Sequence, residues 1–130
     1  MVEVMQFRKA LYLWTPVVLW TALIYFLSSQ PGLSIGEGLI DFLTRKPAHI
    51  GEYTVLFLLL HRALRDTFFL AGQKLYLVAG IFTFLYAVSD ELHQMFVPTR
   101  AGSIYDLGFD LLGIFGGLFL IRYWRLRTRM

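Results

Sequence analysis

The sequence predicts an all-α membrane protein, a bundle of four transmembrane helices with both termini in the cytoplasm. Three observations predict it. Of the 130 residues, 57% are hydrophobic, above the roughly 45–50% of soluble chains. A domain this small has too much surface for its volume to hide that much apolar area in a core of its own. The apolar residues gather into four runs, 11–27, 50–60, 75–88 and 111–121, and the basic residues fall between them, unevenly on two sides. One domain, 1–130, accounts for a chain of this length.

A spanning helix needs about 20 predominantly apolar residues. The first run with its flanks, residues 9–28, meets this. It follows Arg8 and Lys9 as a signal peptide would. It is longer than a signal core of about 7–15 residues, and no A-x-A pattern follows, so it is expected to stay as a helix. The second helix reaches 48–64 only if His49, Glu52 and His61 are admitted. The third reaches 75–97 by taking in Ser89 to Gln94, and the fourth reaches 104–124 by taking in Asp106 and Asp110. Of the connections, 28–46 is polar, with 39–43 apolar enough for a short interfacial helix. Residues 66–74 are a short link, and 98–103 a tight turn with Pro98 and Gly102. No internal repeat or low-complexity tract is present.

With four spans, Arg8, Lys9, Arg62, Arg65, Lys74, Arg122, Arg125, Arg127 and Arg129 share one side, against Arg45, Lys46 and Arg100 on the other. Nine against three places both termini in the cytoplasm by the positive-inside rule. Trp14, Tyr123 and Trp124 then sit near the cytoplasmic boundary, where aromatic rings anchor helices. The net charge of +3 is thereby read as topology, with the lipid bilayer and no nucleic acid as partner. The absence of cysteine excludes disulfides, thiolate metal sites and cysteine nucleophiles.

Ionisable groups at membrane depth are costly and face the bundle interior or water. Here they collect at the outer ends of three helices: His49 and Glu52 open the second, Asp90, Glu91, His93 and Gln94 close the third, and Asp106 and Asp110 open the fourth. Spacings of three and four put His49, Glu52 and Tyr53 on one face, Tyr86, Asp90, His93 and Gln94 on another, and Asp106, Asp110, Gly113 and Gly117 on a third. Gly113-x-x-x-Gly117 admits a close helix neighbour. A structural reading makes these ion pairs, Glu52 with Arg45 or Asp106 with Arg100, and Arg100 is expected to partner Glu52 or Asp106. A functional reading makes them one outward-facing pocket. In that pocket His49, Glu52, Asp90, His93 and Asp106 are the candidate catalytic acids and bases, and Lys46, Arg100, Gln94 and Asp110 the candidate substrate-binding groups. His49, Glu52, Asp90, Glu91, His93 and Asp106 offer N and O donors, but no fixed motif such as H-E-x-x-H appears, so no residue is assigned to a metal and any cofactor is unknown. His61, beside Arg62 and Arg65, is read as interfacial.

Four motifs stand in order: Ser28-Ser29-Gln30-Pro31, Lys46-x-x-His49-x-x-Glu52-Tyr53, Ser89-Asp90-Glu91-x-His93-Gln94 and Arg100-x-Gly102-Ser103-x-x-Asp106, with Gly113 beyond. Together they resemble the VanZ-like family from about Tyr25 to Gly117. The chain departs from the family at Asp110, where many members carry asparagine. The resemblance implies a multi-pass protein of the bacterial inner or plasma membrane, and the family's founding member is associated with teicoplanin resistance. Teicoplanin acts at the outer surface on lipid-anchored cell-wall precursors. A lipid-linked precursor or a phospholipid head group is therefore the implied partner. Two readings stay open: an enzyme acting on such a substrate, and a protein that binds it without chemistry. A transporter fits less well, because the polar residues do not continue through the cytoplasmic half of the helices.

Overall fold

A computed structural model describes residues 2–31, 38–100 and 102–128. Among the described residues there are four α-helices and no strand: α1 Val2–Ser28, α2 Leu39–Phe68, α3 Gly72–Gln94 and α4 Ile104–Arg127. Three of them, α1, α3 and α4, are long and apolar enough to cross a membrane. At a rise of about 1.5 Å per residue each exceeds a hydrocarbon core of about 30 Å. Large apolar side chains on these three helices point outward, among them Leu19, Phe26, Ile81, Leu85, Phe115 and Phe119. Apolar cladding of that extent suits lipid, not water. The chain is a multi-pass membrane protein.

The longest helix, α2 with 30 residues, falls short of the others in composition, not length. Its place explains why. It packs against α1, α3 and α4, and none of its residues 52–64 is exposed. A helix sheathed by three others meets protein on most of its circumference. Its polar residues therefore find partners where a lipid-facing helix could not. Tyr53, Leu56, Leu60 and Ala63 pack with Leu13, Val17 and Ile24 of α1. Phe57 and Leu64 pack with Leu75 and Ala79 of α3 and Ile114 of α4. The spacings of three and four along α2 make both stripes.

The tightest seam joins α2 and α4. Thr54 Oγ1 donates to the Gly113 carbonyl at 2.9 Å. A Cβ at Gly113 would lie 2.6 Å from the Ile50 carbonyl oxygen, and one at Gly117 would lie 2.6 Å from Phe57 Cδ1. The Gly113-x-x-x-Gly117 stripe is thus where the two backbones approach. The partners rise together along both helices: Lys46 meets Asp106, His49 meets Asp110, Thr54 meets Gly113, and Phe57 meets Gly117. Two helices so matched run parallel, which brings both N-terminal portions to one end of the bundle. The intervening α3 runs back and adds its C-terminal end there.

Several helix limits differ from those read in the sequence. The first helix starts at Val2, seven residues before the expected start at residue 9, and the added turns carry the apolar side chains of Val4, Met5 and Phe7 on its outer surface. The segment 39–43 is no separate interfacial helix, since α2 runs unbroken from Leu39 through Pro47. Pro47 removes one rung of the ladder without ending it. The third helix stops at Gln94, and turns follow it. Residues 32–37 of the expected 28–46 connection, Ala101 of the 98–103 turn, and Arg129 of the basic tail lie outside the described residues.

Candidate functional site

At the shared end of the bundle, polar side chains from all four helices form three linked groups. In the first, Asp106 opens α4 and is fully buried. Its carboxylate pairs with Arg45 Nη2 at 3.0 Å and with Lys46 Nζ. The helix N-terminus also favours a negative charge in this first turn. Lys46 Nζ lies 5.2 Å from the Phe109 ring centroid, which adds a cation–π contact.

The second group lies one turn further along α2 and α4 than the first. His49 Nδ1 lies 2.9 Å from Asp110 Oδ1 and 4.0 Å from Glu91 Oε1. Glu91 Oε2 accepts the backbone N–H of Ser103 at 2.9 Å. That contact depends on Gly102, because a Cβ there would collide with the Glu91 carbonyl oxygen and with Met95 Cγ. The turn also holds Thr99 at φ 67°, a left-handed conformation that a β-branched residue adopts only at a cost. The turn from α3 into α4 is therefore pressed against the end of α3.

The third group reaches α1. Asp90 Oδ2 accepts from Gln94 Nε2 at 2.9 Å, and Gln94 Nε2 also reaches Ser28 Oγ at 3.4 Å. His93 turns toward α1, with Nε2 2.9 Å from Ser29 Oγ and its ring stacked on Tyr25 at 4.5 Å. Trp20 Nε1 donates to the Glu52 carbonyl at 2.9 Å, tying α1 to α2 beside the site.

Between these groups lies a cavity of about 190 Å³. His49, Glu52, Gln94, Arg45 and Arg100 line it, with Ser28 at its α1 wall. Arg100 forms no ion pair among the described residues, and neither does the Glu52 carboxylate. Burial, and then the charge of Arg45, lower the Arg100 pKa from its ordinary value. The carboxylates of Asp90, Glu52 and Glu91 act in the opposite direction on Arg100.

The expectation that Arg100 would partner Glu52 or Asp106 is corrected by this geometry. Asp106 takes Arg45 and Lys46 because α2 is already helical there and lies alongside α4. Of the nine candidate residues, His49, Glu52, Gln94 and Arg100 border the cavity. Asp90, Asp106, Asp110 and Lys46 lie in the hydrogen-bonded and ion-paired groups around it. His93 faces α1 and is not among the residues lining the cavity.

A family model described as VanZ/LLP1 matches residues 5–125. The chain belongs to the VanZ/LLP1 family. The comparisons with curated proteins and with solved structures give no match. The match takes in α2 and α3 whole, nearly all of α1 and α4, and every residue of the three polar groups of this VanZ/LLP1 protein. Sequence reasoning named Glu91 as a possible metal donor and Arg45 as a possible partner of Glu52 but placed neither among the candidate site residues. Glu91 was left off the faces because it lies one position beyond Asp90, yet α3 presents it to α2 and α4 together. Arg45 was taken for part of a loop, when its placement on a helical turn next to Lys46 is what brings both to Asp106. The signal for Glu91 lay in its motif, Ser89-Asp90-Glu91-x-His93-Gln94.

Proposed function

We propose that this VanZ/LLP1 protein spans the bacterial plasma membrane four times, with both termini cytoplasmic, and acts at the outer leaflet on a lipid-linked envelope substrate through its anionic head group. The nine-to-three basic asymmetry supports this topology, and it turns the polar end of the bundle outward. One observation carries the functional reading: Glu52 and Arg100 border the same cavity, and neither is committed to an ion pair among the described residues. Arg100 supplies a fork of donors suited to phosphate. Glu52 and His49 supply carboxylate and imidazole for proton exchange beside it. At about 190 Å³ the cavity is smaller than sites that enclose drug-sized ligands. It suits a head group whose lipid chain stays in the bilayer. The three apolar outer helices support lipid surroundings for that chain.

The test uses full-length protein in nanodiscs with a polyprenyl phosphate, phosphatidylglycerol or phosphatidylcholine as probe. Retention of the anionic lipids over phosphatidylcholine is expected, and Arg100→Ala should reduce it at least about tenfold at unchanged membrane abundance. Equal loss in His61→Ala, or no preference for anionic lipid, counts against the reading. Turnover of the bound lipid, abolished by Glu52→Ala, separates the enzyme from a protein that only binds. Teicoplanin susceptibility of cells expressing the chain is the matching cellular readout.

A further inference from the structure

We propose that His49, Glu91 and Asp110 form a binding site for a divalent first-row transition-metal ion, Zn²⁺ or Mn²⁺. One ligand comes from each of α2, α3 and α4. One donor atom of each lies within 4.8 Å of the others, and all three residues are buried. Two ligands at about 2.1 Å from a tetrahedral ion stand about 3.4 Å apart, so the 4.0 Å between His49 Nδ1 and Glu91 Oε1 has to close by about half an ångström on binding. His49 Nδ1 and Asp110 Oδ1, 2.9 Å apart, share a hydrogen bond in the metal-free protein, and the ion replaces its proton on binding.

Two unsatisfied atoms point to an ion. Glu91 Oε1 faces His49 Nδ1 at 4.0 Å, is buried, and has no hydrogen-bond partner among the described residues. Asp110 Oδ2 is buried in a residue of zero exposure and also lacks a partner. Glu91 is meanwhile oriented by its other oxygen, which the Ser103 N–H holds. Ligands aimed by an outer hydrogen bond are a regular feature of metal centres.

Charge argues the same way. Buried carboxylates are paired, hydrogen-bonded or bound to metal. Of the neighbouring cations, Arg45 and Lys46 are engaged with Asp106, and Arg100 acts on Glu91 without an ion pair among the described residues. No lysine or arginine forms an ion pair with Glu91 or Asp110 among the described residues. One imidazole serves two carboxylates there, and a dication offsets both. One nitrogen and two oxygens suit Zn²⁺ or Mn²⁺; an imidazole ligand disfavours Ca²⁺ and Mg²⁺. His49 also borders the cavity, which offers the ion a route in from the bundle end. Three protein ligands leave a coordination position for water.

This site stands independently of the head-group reading, because its test involves no substrate lipid. Full-length protein purified in detergent is stripped with chelator and titrated calorimetrically with Zn²⁺ and with Mn²⁺. Metal content is counted by mass spectrometry. About one ion per chain is expected, and Glu91→Gln and Asp110→Asn should each weaken binding at least about tenfold. Both variants keep the shape of the native side chain, and circular dichroism checks that they fold. Bound metal should raise the Tm of the wild type and leave that of both variants unmoved. His61→Ala should bind as the wild type does. Absence of binding by the wild type, or binding that survives both substitutions, overturns the site and leaves a metal-free histidine–carboxylate network.

Discussion

His49 Nδ1 and Asp110 Oδ1 lie 2.9 Å apart on parallel helices, in side chains that are 7% and 0% exposed. Lys46 and Asp106 meet one turn nearer the bundle end, and Thr54 and Gly113 one turn deeper. The pair is thus a rung in the α2–α4 seam as well as a part of the site. Breaking a buried pair strands the remaining partner, which costs about 3–5 kcal/mol. His49→Ala and Asp110→Ala should each destabilise the metal-free protein on that scale. The double variant should cost less than the sum of the two single ones, because neither member of the pair is left to face the other's absence. Unfolding in chelator-containing detergent measures the cycle, and strict additivity would show that the two residues are not coupled.

Asp106 has two cations where one would serve. Arg45→Ala or Lys46→Ala alone should therefore lower membrane abundance little, since the other cation still answers the buried carboxylate. Removing both should lower it severely, at a cost of about 3–5 kcal/mol, and adding Asp106→Asn should restore part of it. Immunoblots of membrane fractions make the comparison. A severe loss from either single substitution would show that the two cations do not substitute for one another.

Glycine positions differ in what they tolerate. Gly113→Ala drives a methyl group against the Ile50 backbone, and Gly102→Ala drives one against the Glu91 backbone. Neither obstacle is a movable side chain, so each variant should lose about 1–3 kcal/mol. At Gly108 a Cβ meets nothing within 4 Å. Gly108→Ala should be neutral or slightly stabilising, since alanine favours the helix by up to about 1 kcal/mol. Thermal unfolding of the three variants should separate them in that order.

The proposed topology is open to direct test. A reporter active only in the cytoplasm should work when fused at the C-terminus, and a periplasmic reporter there should stay silent. The reverse pattern would reject the four-span arrangement and with it the outward face of the polar site.

The membrane class of the protein was legible in the sequence because apolar run length is local: enough consecutive apolar residues make a helix that lipid will cover. The gathering of polar residues at one end was legible for a similar reason. Helical period and position along each run need no knowledge of the neighbours. Four ordered motifs also pointed to the VanZ-like family, in agreement with the match over residues 5–125.

Tertiary structure alone decided who meets whom. Period tells that His49 and Glu52 share a face of α2; it does not tell which helix that face meets. The close α2–α4 seam at Gly113 and Gly117 sets that rotation, and it sends Asp106 to Arg45 and Lys46 and leaves Arg100 beside the cavity. The same packing makes α2 the sheathed helix, so its composition reflects protein neighbours and not lipid. Glu91 joins His49 and Asp110 only because the Gly102 turn presses the end of α3 against the start of α4. Those relationships depend on the relative rotation and rise of separate helices. Contacts between residues some sixty positions apart in the chain fix both, and no local pattern encodes them.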